Sequence, residues 1–80
     1  MPTYPVNEEK FAAIERSMTN ITPNEDQVRR INSIRASAKG FAATIMSHCP
    51  PSREQSLALT HLEEVTMWAV KAIVLEPPAV

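Results

Sequence analysis

The positions of the prolines most constrain the fold of this chain. All seven lie outside two long stretches, residues 24–49 and 52–76. A proline inside a helix removes a backbone hydrogen bond and clashes with the preceding turn, so two proline-free stretches of this length are compatible with long helices. The chain is therefore predicted to be all-α, with Pro50 and Pro51 separating two long helices.

Capping residues predict where the first two helices begin. The first helix is predicted over residues 7–17, because Asn7 is a good N-cap and two glutamates follow it near the positive end of the helix dipole. The second is predicted over residues 23–49. Its start carries an N-cap residue, a proline at the first helical position and an acid at the third, namely Thr22, Pro23 and Glu25.

The third helix is predicted over residues 52–75, with Ser52 and Gln55 forming a second capping box. The short connection at Pro50 and Pro51 forces the two long helices to run antiparallel. The predicted architecture is a single helical-hairpin domain over residues 1–80, with the short N-terminal helix docked on the long hairpin.

The apolar residues of the third helix are too widely spread for one partner helix to cover. The stripe predicted to face the second helix contains Ala58, Leu62, Val65, Ala69 and Ala72, whereas Leu57, His61, Glu64 and Trp68 project from another face. A chain of this size has a marginal core, so the remaining apolar surface predicts a homo-oligomer. The alternative is that Trp68 packs under the first helix.

Gly40, the only glycine, predicts close approach of a neighbouring helix, with a merely tolerated glycine as the alternative.

Composition argues against several classes of protein. Cys49 is the only cysteine, so an internal disulfide is impossible, and no metal-binding spacing, cofactor motif or catalytic constellation is present. The net charge of −1 argues against general binding to DNA, although residues 27–51 carry four basic residues and no acid. The N-terminus lacks the pattern of a signal peptide, and no apolar run is long enough to span a bilayer, so a cytosolic protein without membrane contact is expected.

One polar row predicts a site for an anion. Ser52, Ser56 and Thr60 recur every four residues on one face of the third helix, and Arg53 lies in its first turn, where unpaired N–H groups favour negative charge. Hydroxyl groups and a guanidinium suit a phosphodiester. The alternative is structural: Ser52 as a cap, Arg53 paired with a surface acid and Thr60 as neutral filler.

Tyr4 in the N-terminal arm offers a ring for stacking on a base, with Asn7 nearby as a hydrogen-bond partner. The alternative is that Tyr4 anchors the arm on the core.

At residues 52–73 the sequence resembles a known family. The segments Ser52-Arg53-Glu54, Leu57-Ala58-Leu59-Thr60, Leu62-Glu63-Glu64 and Met67-Trp68-Ala69 are similar to the helical-hairpin domain of two phage counter-defence groups. These are the anti-CBASS cyclic-oligonucleotide sponge and the Thoeris anti-defence sponge. The resemblance extends to residues 18–73. In the loop, the family commonly has an aromatic residue, then a tyrosine and a histidine, and then a proline and a lysine; in this sequence those places are occupied by Met18, Asn20, Ile21, Pro23 and Asn24. The sequence also departs from the family at His61, which replaces a frequent lysine.

The resemblance implies a non-enzymatic sponge in the cytoplasm of the infected bacterial host. It implies a homohexamer of interlocked pairs that sequesters cyclic di- or trinucleotides, with the dinucleotide between protomers; a cyclic ADP-ribose isomer remains an alternative ligand. The ligand-binding residues expected here are Tyr4, Asn7, Asn24, Arg53, Ser56 and Thr60. The rival hypothesis is a helical interaction module or phage regulator that grips a host protein through Leu57 and Trp68.

Overall fold

The structure, a computed structural model, consists of three helices and describes residues 3–19 and 21–77. Helix α1 spans Glu8–Met18, α2 spans Glu25–His48 and α3 spans Arg53–Val74. The predicted all-α class, a short N-terminal helix followed by a long helical hairpin, is confirmed. Asn20, one of the loop positions named above, lies outside the described residues.

Glutamine side chains link α2 and α3 at both ends of the hairpin. At the open end, Nε2 of Gln27 donates a hydrogen bond to the carbonyl of Ile73 at 2.9 Å. At the closed end, Nε2 of Gln55 donates to the carbonyl of Cys49 at 3.0 Å. Because both bonds join a side chain to a backbone carbonyl near a helix end, they fix the register of the two antiparallel helices.

The start of α2 differs from the prediction, which was wrong about its cap. The helix begins at Glu25 with Asn24 as N-cap, so Thr22 and Pro23 precede the cap. Oδ1 of Asn24 accepts from the Gln27 N–H at 2.8 Å, and Oε1 of Gln27 accepts from the Asn24 N–H at 2.9 Å. Asparagine is the stronger N-cap, and this register also places Gln27 where its side chain reaches across the hairpin.

The start of α3 matches the prediction in its cap and differs in its second hydrogen bond. Ser52 is the N-cap, and its Oγ accepts from the Gln55 N–H at 3.1 Å. The reciprocal bond predicted from Gln55 to the cap backbone is replaced by the bond from Gln55 to Cys49, because α2 ends within reach and its last carbonyls need donors.

The core between α2 and α3 is small. Among the described residues only Ile31 and Gln27 are buried, at 5% and 8% exposure. The half-buried inner face of α3 is formed mainly by Leu59, Leu62, Thr66, Val70 and Ile73. The predicted stripe was therefore partly wrong, since Val65 and Ala72 are exposed. Thr66 is tolerated on the inner face because its hydroxyl donates to the Leu62 carbonyl at 2.8 Å.

Helix α1 does not dock on the hairpin, contrary to the prediction. Phe11 and Ile14 are exposed, and Met18 is 81% exposed. In residues 3–19 and 21–77, α1 is joined to the C-terminal end of α3 by one side-chain hydrogen bond. The guanidinium of Arg16 donates this bond to the Leu75 carbonyl. An 11-residue helix buries too little surface to stay packed unless a matching face is presented to it.

One alternative, Trp68 packed under α1, and one expectation, a helix close to Gly40, both fail within one copy of the chain. Trp68 is 55% exposed, so α1 does not cover it. A Cβ added at Gly40 would meet no atom within 4 Å among the described residues, so no helix approaches closely there. Both positions therefore remain accessible to another molecule.

Among the described residues, no helix has an apolar stretch long enough to cross a bilayer.

Candidate ligand-binding surface

The candidate anion row lies on exposed turns at the start of α3. Ser52 is occupied as a cap: its Oγ donates to the Pro50 carbonyl at 3.0 Å in addition to accepting from Gln55. The structural alternative thus holds for Ser52. Arg53, Ser56 and Thr60 are exposed, and their side chains make no hydrogen bond or ion pair with other residues of the described ranges.

The geometry of Arg53, Ser56 and Thr60 suits a bound anion. Ser56 and Thr60 lie one turn apart, about 6 Å along the axis, and Arg53 lies near the N-terminus of the same helix. The hydroxyls donate hydrogen bonds, the guanidinium supplies charge, and the helix dipole is positive at this end. The structural alternative was that Arg53 is paired with a surface acid. Among the described residues Arg53 forms no such ion pair.

The two candidate asparagines both serve as helix caps. Oδ1 of Asn7 accepts from the Lys10 N–H at 2.9 Å, and Oδ1 of Asn24 accepts from the Gln27 N–H. Each cap uses the carbonyl oxygen of the side chain and leaves the amide NH2 as a donor. A ligand would therefore meet hydrogen-bond donors at both positions, which suits phosphate oxygens or ring nitrogens of a base.

Tyr4 lies in the extended segment before α1 and is 78% exposed. The alternative that it anchors the chain on its own core is therefore wrong. Its ring is available for stacking on a flat ligand, an interaction that needs an exposed aromatic face.

One copy of the chain does not bring the candidate residues together. Asn24 caps the helix at the open end of the hairpin, where Gln27 contacts Ile73. Arg53 begins α3 at the closed end, about 30 Å from Ile73 along the helix axis. Any single site that uses Asn24 together with Arg53 must therefore take them from different copies.

A groove lies along one side of the hairpin and is here called the side groove. Its floor and walls are apolar, formed by Ala42, Met46, Leu59, Leu62, Met67 and Val70. Arg35 and Lys39 lie on its α2 edge, and Glu63 lies on its α3 edge. None of the candidate ligand residues lines it. The groove was not predicted from the sequence, although Leu59, Leu62 and Val70 recur at helical spacing.

The outer face of α3 presents a second apolar surface. The ammonium group of Lys71 lies over the ring of Trp68 in a cation–π contact, with Nζ 5.5 Å from the ring centroid. His61 lies two turns before Trp68, with its Nδ1 3.7 Å from Oε2 of Glu64. His61, Glu64, Val65 and Trp68 surround a shallow depression. The predicted exposure of Leu57 and Trp68 on this face is confirmed.

An ion-pair network closes the open end of the hairpin. Arg30 contacts Glu76 across the hairpin and Asp26 one turn earlier on α2. The guanidinium of Arg30 donates hydrogen bonds to the Glu76 carboxylate and so lowers the pKa of Glu76 below its usual value. The same bonds raise the pKa of Arg30. Arg29 also pairs with Asp26, so two of the four basic residues of residues 27–51 form ion pairs within the fold.

Residues 3–19 and 21–77 contain no cluster of three or more His, Cys, Asp or Glu side chains placed to hold a metal ion.

Comparison with protein families finds a match over most of the chain. A family model described as the Acb2/Tad1 hairpin domain matches residues 11–74, which include all of α2 and α3 and most of α1. Comparisons with curated proteins and with solved structures find no match.

Proposed function

The chain belongs to the Acb2/Tad1 hairpin family, and on that premise we propose that it is a non-enzymatic phage counter-defence protein that binds and sequesters cyclic nucleotide immune signals. The family as a whole suggests the role of a cyclic-nucleotide sponge. The match over residues 11–74 is the observation that carries the proposal, because it covers the candidate row on α3.

Binding between copies is supported by the surface that one copy leaves exposed. The chain has an accessible surface of 6899 Å², whereas a compact monomer of its mass is expected to have about 4,800 Å². Its radius of gyration is 17.6 Å, against about 12 Å for a compact domain of this length. We therefore propose a homo-oligomer, with the hexamer of interlocked pairs as the expected form.

The chemistry of the candidate residues supports a cyclic nucleotide as ligand. Arg53, Ser56 and Thr60 offer one charge and two hydroxyls to a phosphodiester. Tyr4 offers a stacking surface to a base, and Asn7 and Asn24 offer amide donors to base or phosphate. Because Asn24 and Arg53 lie at opposite ends of a hairpin, the proposed pocket takes its residues from more than one copy.

Sequestration requires tight binding and no bond cleavage. The proposed site needs a guanidinium, hydroxyls and a ring, and it uses no general base or metal. A cyclic signal held between copies is removed from solution, so the bacterial effector it would activate stays inactive and the phage continues its infection. The proposed location is accordingly the cytoplasm of the infected host.

Isothermal titration calorimetry with a panel of cyclic dinucleotides, cyclic trinucleotides and cyclic ADP-ribose isomers tests the proposal. We expect at least one tight ligand, recovered with its ring intact after heat denaturation of the complex. Thr60→Val removes a hydroxyl from the candidate row with little change in volume and is expected to weaken that ligand. Recovery of a linear product would identify an enzyme instead, and the absence of binding across the whole panel would contradict the sponge hypothesis.

A second candidate function is favoured by one observation, the exposed outer face of α3 with Leu57 and Trp68. A helical module that grips a host protein through this face would need no nucleotide. Thermal melting separates the two functions, because a ligand at 100 times its dissociation constant adds about 2.7 kcal/mol to the free energy of unfolding. Absence of a shift with every nucleotide, together with a monomer mass of 8.9 kDa by light scattering, would favour this second function.

A further inference from the structure

The row of hydroxyl groups on α3 continues beyond Thr60. Ser52, Ser56 and Thr60 are spaced by four residues, and Glu64 and Trp68 occupy the next two positions at the same spacing. Residues four apart are neighbours on a helix surface, so the five side chains form one continuous row that winds slowly about the helix. Along this row the hydroxyls are followed by a carboxylate and then by an indole ring, each about 6 Å further along the axis.

The carboxylate of Glu64 is available to accept hydrogen bonds. Its side chain is 57% exposed, and its charged neighbour is His61, whose Nδ1 lies 3.7 Å from Oε2. That distance is too long for a hydrogen bond. In residues 3–19 and 21–77, the Glu64 oxygens therefore receive no hydrogen bond, and both can accept one from a ligand.

The charge of Glu64 limits which part of a nucleotide can lie beside it. The proposed function places phosphates at Arg53, Ser56 and Thr60. Glu64 lies one turn beyond Thr60, where its negative charge repels phosphate oxygens. A group that presents hydrogen-bond donors is attracted instead. In a nucleotide, the base edge carries such donors, so a nucleotide bound along the row has its base at Glu64.

Trp68 offers a surface on which that base can stack. The residue is 55% exposed and borders the shallow depression formed with His61, Glu64 and Val65. Nζ of Lys71 lies over one face of the ring, which leaves the opposite face for a flat ligand. Stacking on an aromatic ring strengthens binding of any base. The ring therefore contributes affinity, and the choice among bases falls to the carboxylate beside it.

A carboxylate distinguishes the bases by their adjacent donors. Guanine carries N1–H and the N2 amino group side by side, so the two oxygens of a carboxylate can accept from it at once. In adenine and cytosine a ring nitrogen that accepts hydrogen bonds lies beside the amino group, and in uracil two carbonyls flank the single N–H. An acceptor that faces a carboxylate oxygen is repelled, so guanine alone among these four bases satisfies both oxygens.

We propose that Glu64 and Trp68 form a guanine subsite, in which the carboxylate accepts from N1–H and N2 and the indole ring stacks on the base. This proposal rests on the proposed function and names the base that the function leaves open. Ser56 lies about 12 Å from Glu64 along the helix axis, a separation comparable with that of phosphate and base edge in one nucleotide. The subsite lies on α3 of a single copy.

Guanosine, inosine and adenosine monophosphates test the subsite in the full-length chain. Trp68 is the only tryptophan, so quenching of its fluorescence reports a base stacked on it. Guanosine monophosphate is expected to bind about tenfold more tightly than adenosine monophosphate. Inosine monophosphate keeps N1–H and lacks the N2 amino group, so its affinity is expected to lie between the two. Equal affinities, or no saturable quenching by guanosine monophosphate, would overturn the proposal.

Glu64→Gln provides a change of preference that simple loss of charge does not. A carboxamide has one donor and one acceptor and pairs with N6 and N7 of adenine, so the variant is expected to lose its guanine preference and to favour adenosine monophosphate. Glu63→Gln is the matched control, because it removes the same charge from the neighbouring residue, which lines the side groove. The control is expected to keep the parent order of affinities.

Two results with these variants would contradict the selection by Glu64. One is an unchanged order of affinities in Glu64→Gln. The other is an equal gain for all three nucleotides, which would show that only the charge matters. Circular dichroism checks the fold of the variants, which should remain helical because both glutamates are exposed.

Calorimetry with cyclic di-GMP and cyclic di-AMP separates this proposal from the sponge hypothesis. Tighter binding of cyclic di-GMP that is lost in Glu64→Gln supports both. Equal binding of the two by the parent keeps the sponge hypothesis and overturns the guanine subsite. Selective binding of guanosine monophosphate, together with no binding of any cyclic nucleotide, contradicts the sponge hypothesis alone.

Discussion

Replacing Gln27 with alanine should destabilise the hairpin more than any single hydrogen bond would suggest. The side chain of Gln27 is buried and makes two bonds, accepting from the Asn24 N–H at 2.9 Å and donating to the Ile73 carbonyl at 2.9 Å. It therefore joins the first turn of α2 to the last turn of α3.

The expected loss follows from these two bonds. At about 1 kcal/mol for each hydrogen bond, Gln27→Ala should reduce the free energy of unfolding by about 2 kcal/mol. The Ile73 carbonyl keeps a second donor, the Glu76 N–H at 3.2 Å, so it is not left unsatisfied and the loss does not grow further. A change of this size lowers the melting temperature of a domain of this length by about 8–16 °C.

Thermal unfolding followed by circular dichroism measures this loss, with all proteins at one protomer concentration because assembly contributes to stability. Gln55→Ala is the matched control, since Gln55 is less buried and makes a single side-chain bond, to Cys49. It should lose about 1 kcal/mol. If Gln27→Ala melts no lower than Gln55→Ala, the reasoning that the open end is held by Gln27 is wrong.

Three further predictions follow from the caps, the ion pair and the single tryptophan. Ser52→Ala should cost about 1 kcal/mol of stability through the lost N-cap, whereas Ser56→Ala should leave the melting temperature unchanged and weaken ligand binding; melting and calorimetry on both variants check this contrast. Arg30 lowers the pKa of Glu76, so the pair stabilises the fold above the usual carboxyl pKa of 4.5, and this contribution disappears as the pH falls through the lowered pKa. Urea unfolding from pH 7 to pH 3 should therefore show a smaller acid-induced loss in Glu76→Gln than in the parent. Acrylamide should quench Trp68 more strongly after dilution separates the copies if the outer face of α3 is buried in the oligomer; equal quenching at all concentrations would place this face outside the interface.

Helix boundaries were largely predictable because their signals are local. Prolines at residues 50 and 51 exclude a helix there whatever the rest of the chain does, and Ser52 caps α3 as predicted. The start of α2 was predicted at the wrong cap for a physical reason. Thr22 and Asn24 are both good caps, and a long-range bond from Gln27 to Ile73 accompanies the register in which Asn24 is used.

The inner face of α3 shows how periodicity alone can select the wrong stripe. Val65 and Ala72 are apolar and correctly spaced, so the sequence favours them over Thr66. Thr66 nevertheless lies inward because its hydroxyl is satisfied by its own helix, and Val65 is exposed. The rotation of a helix about its axis depends on the shape of its partner, which local pattern does not contain.

Some of the candidate ligand residues were grouped correctly from the sequence, and the positions of others depended on the tertiary structure. Sequence alone placed Arg53, Ser56 and Thr60 on one side of a helix start, because the spacing of a helix sets which residues share a face. It did not reveal that Asn24 lies at the far end of the hairpin, nor that α1 leaves the groove of its own chain empty.

By itself, then, the sequence determined the all-α class, the hairpin and the family, since proline positions, caps and residue spacing act over a few residues. Only the tertiary structure decided which faces stay uncovered and how far apart the candidate residues lie. Those properties depend on how separate helices meet in space, and a single copy of this chain covers too little of its apolar surface for the answer to be local.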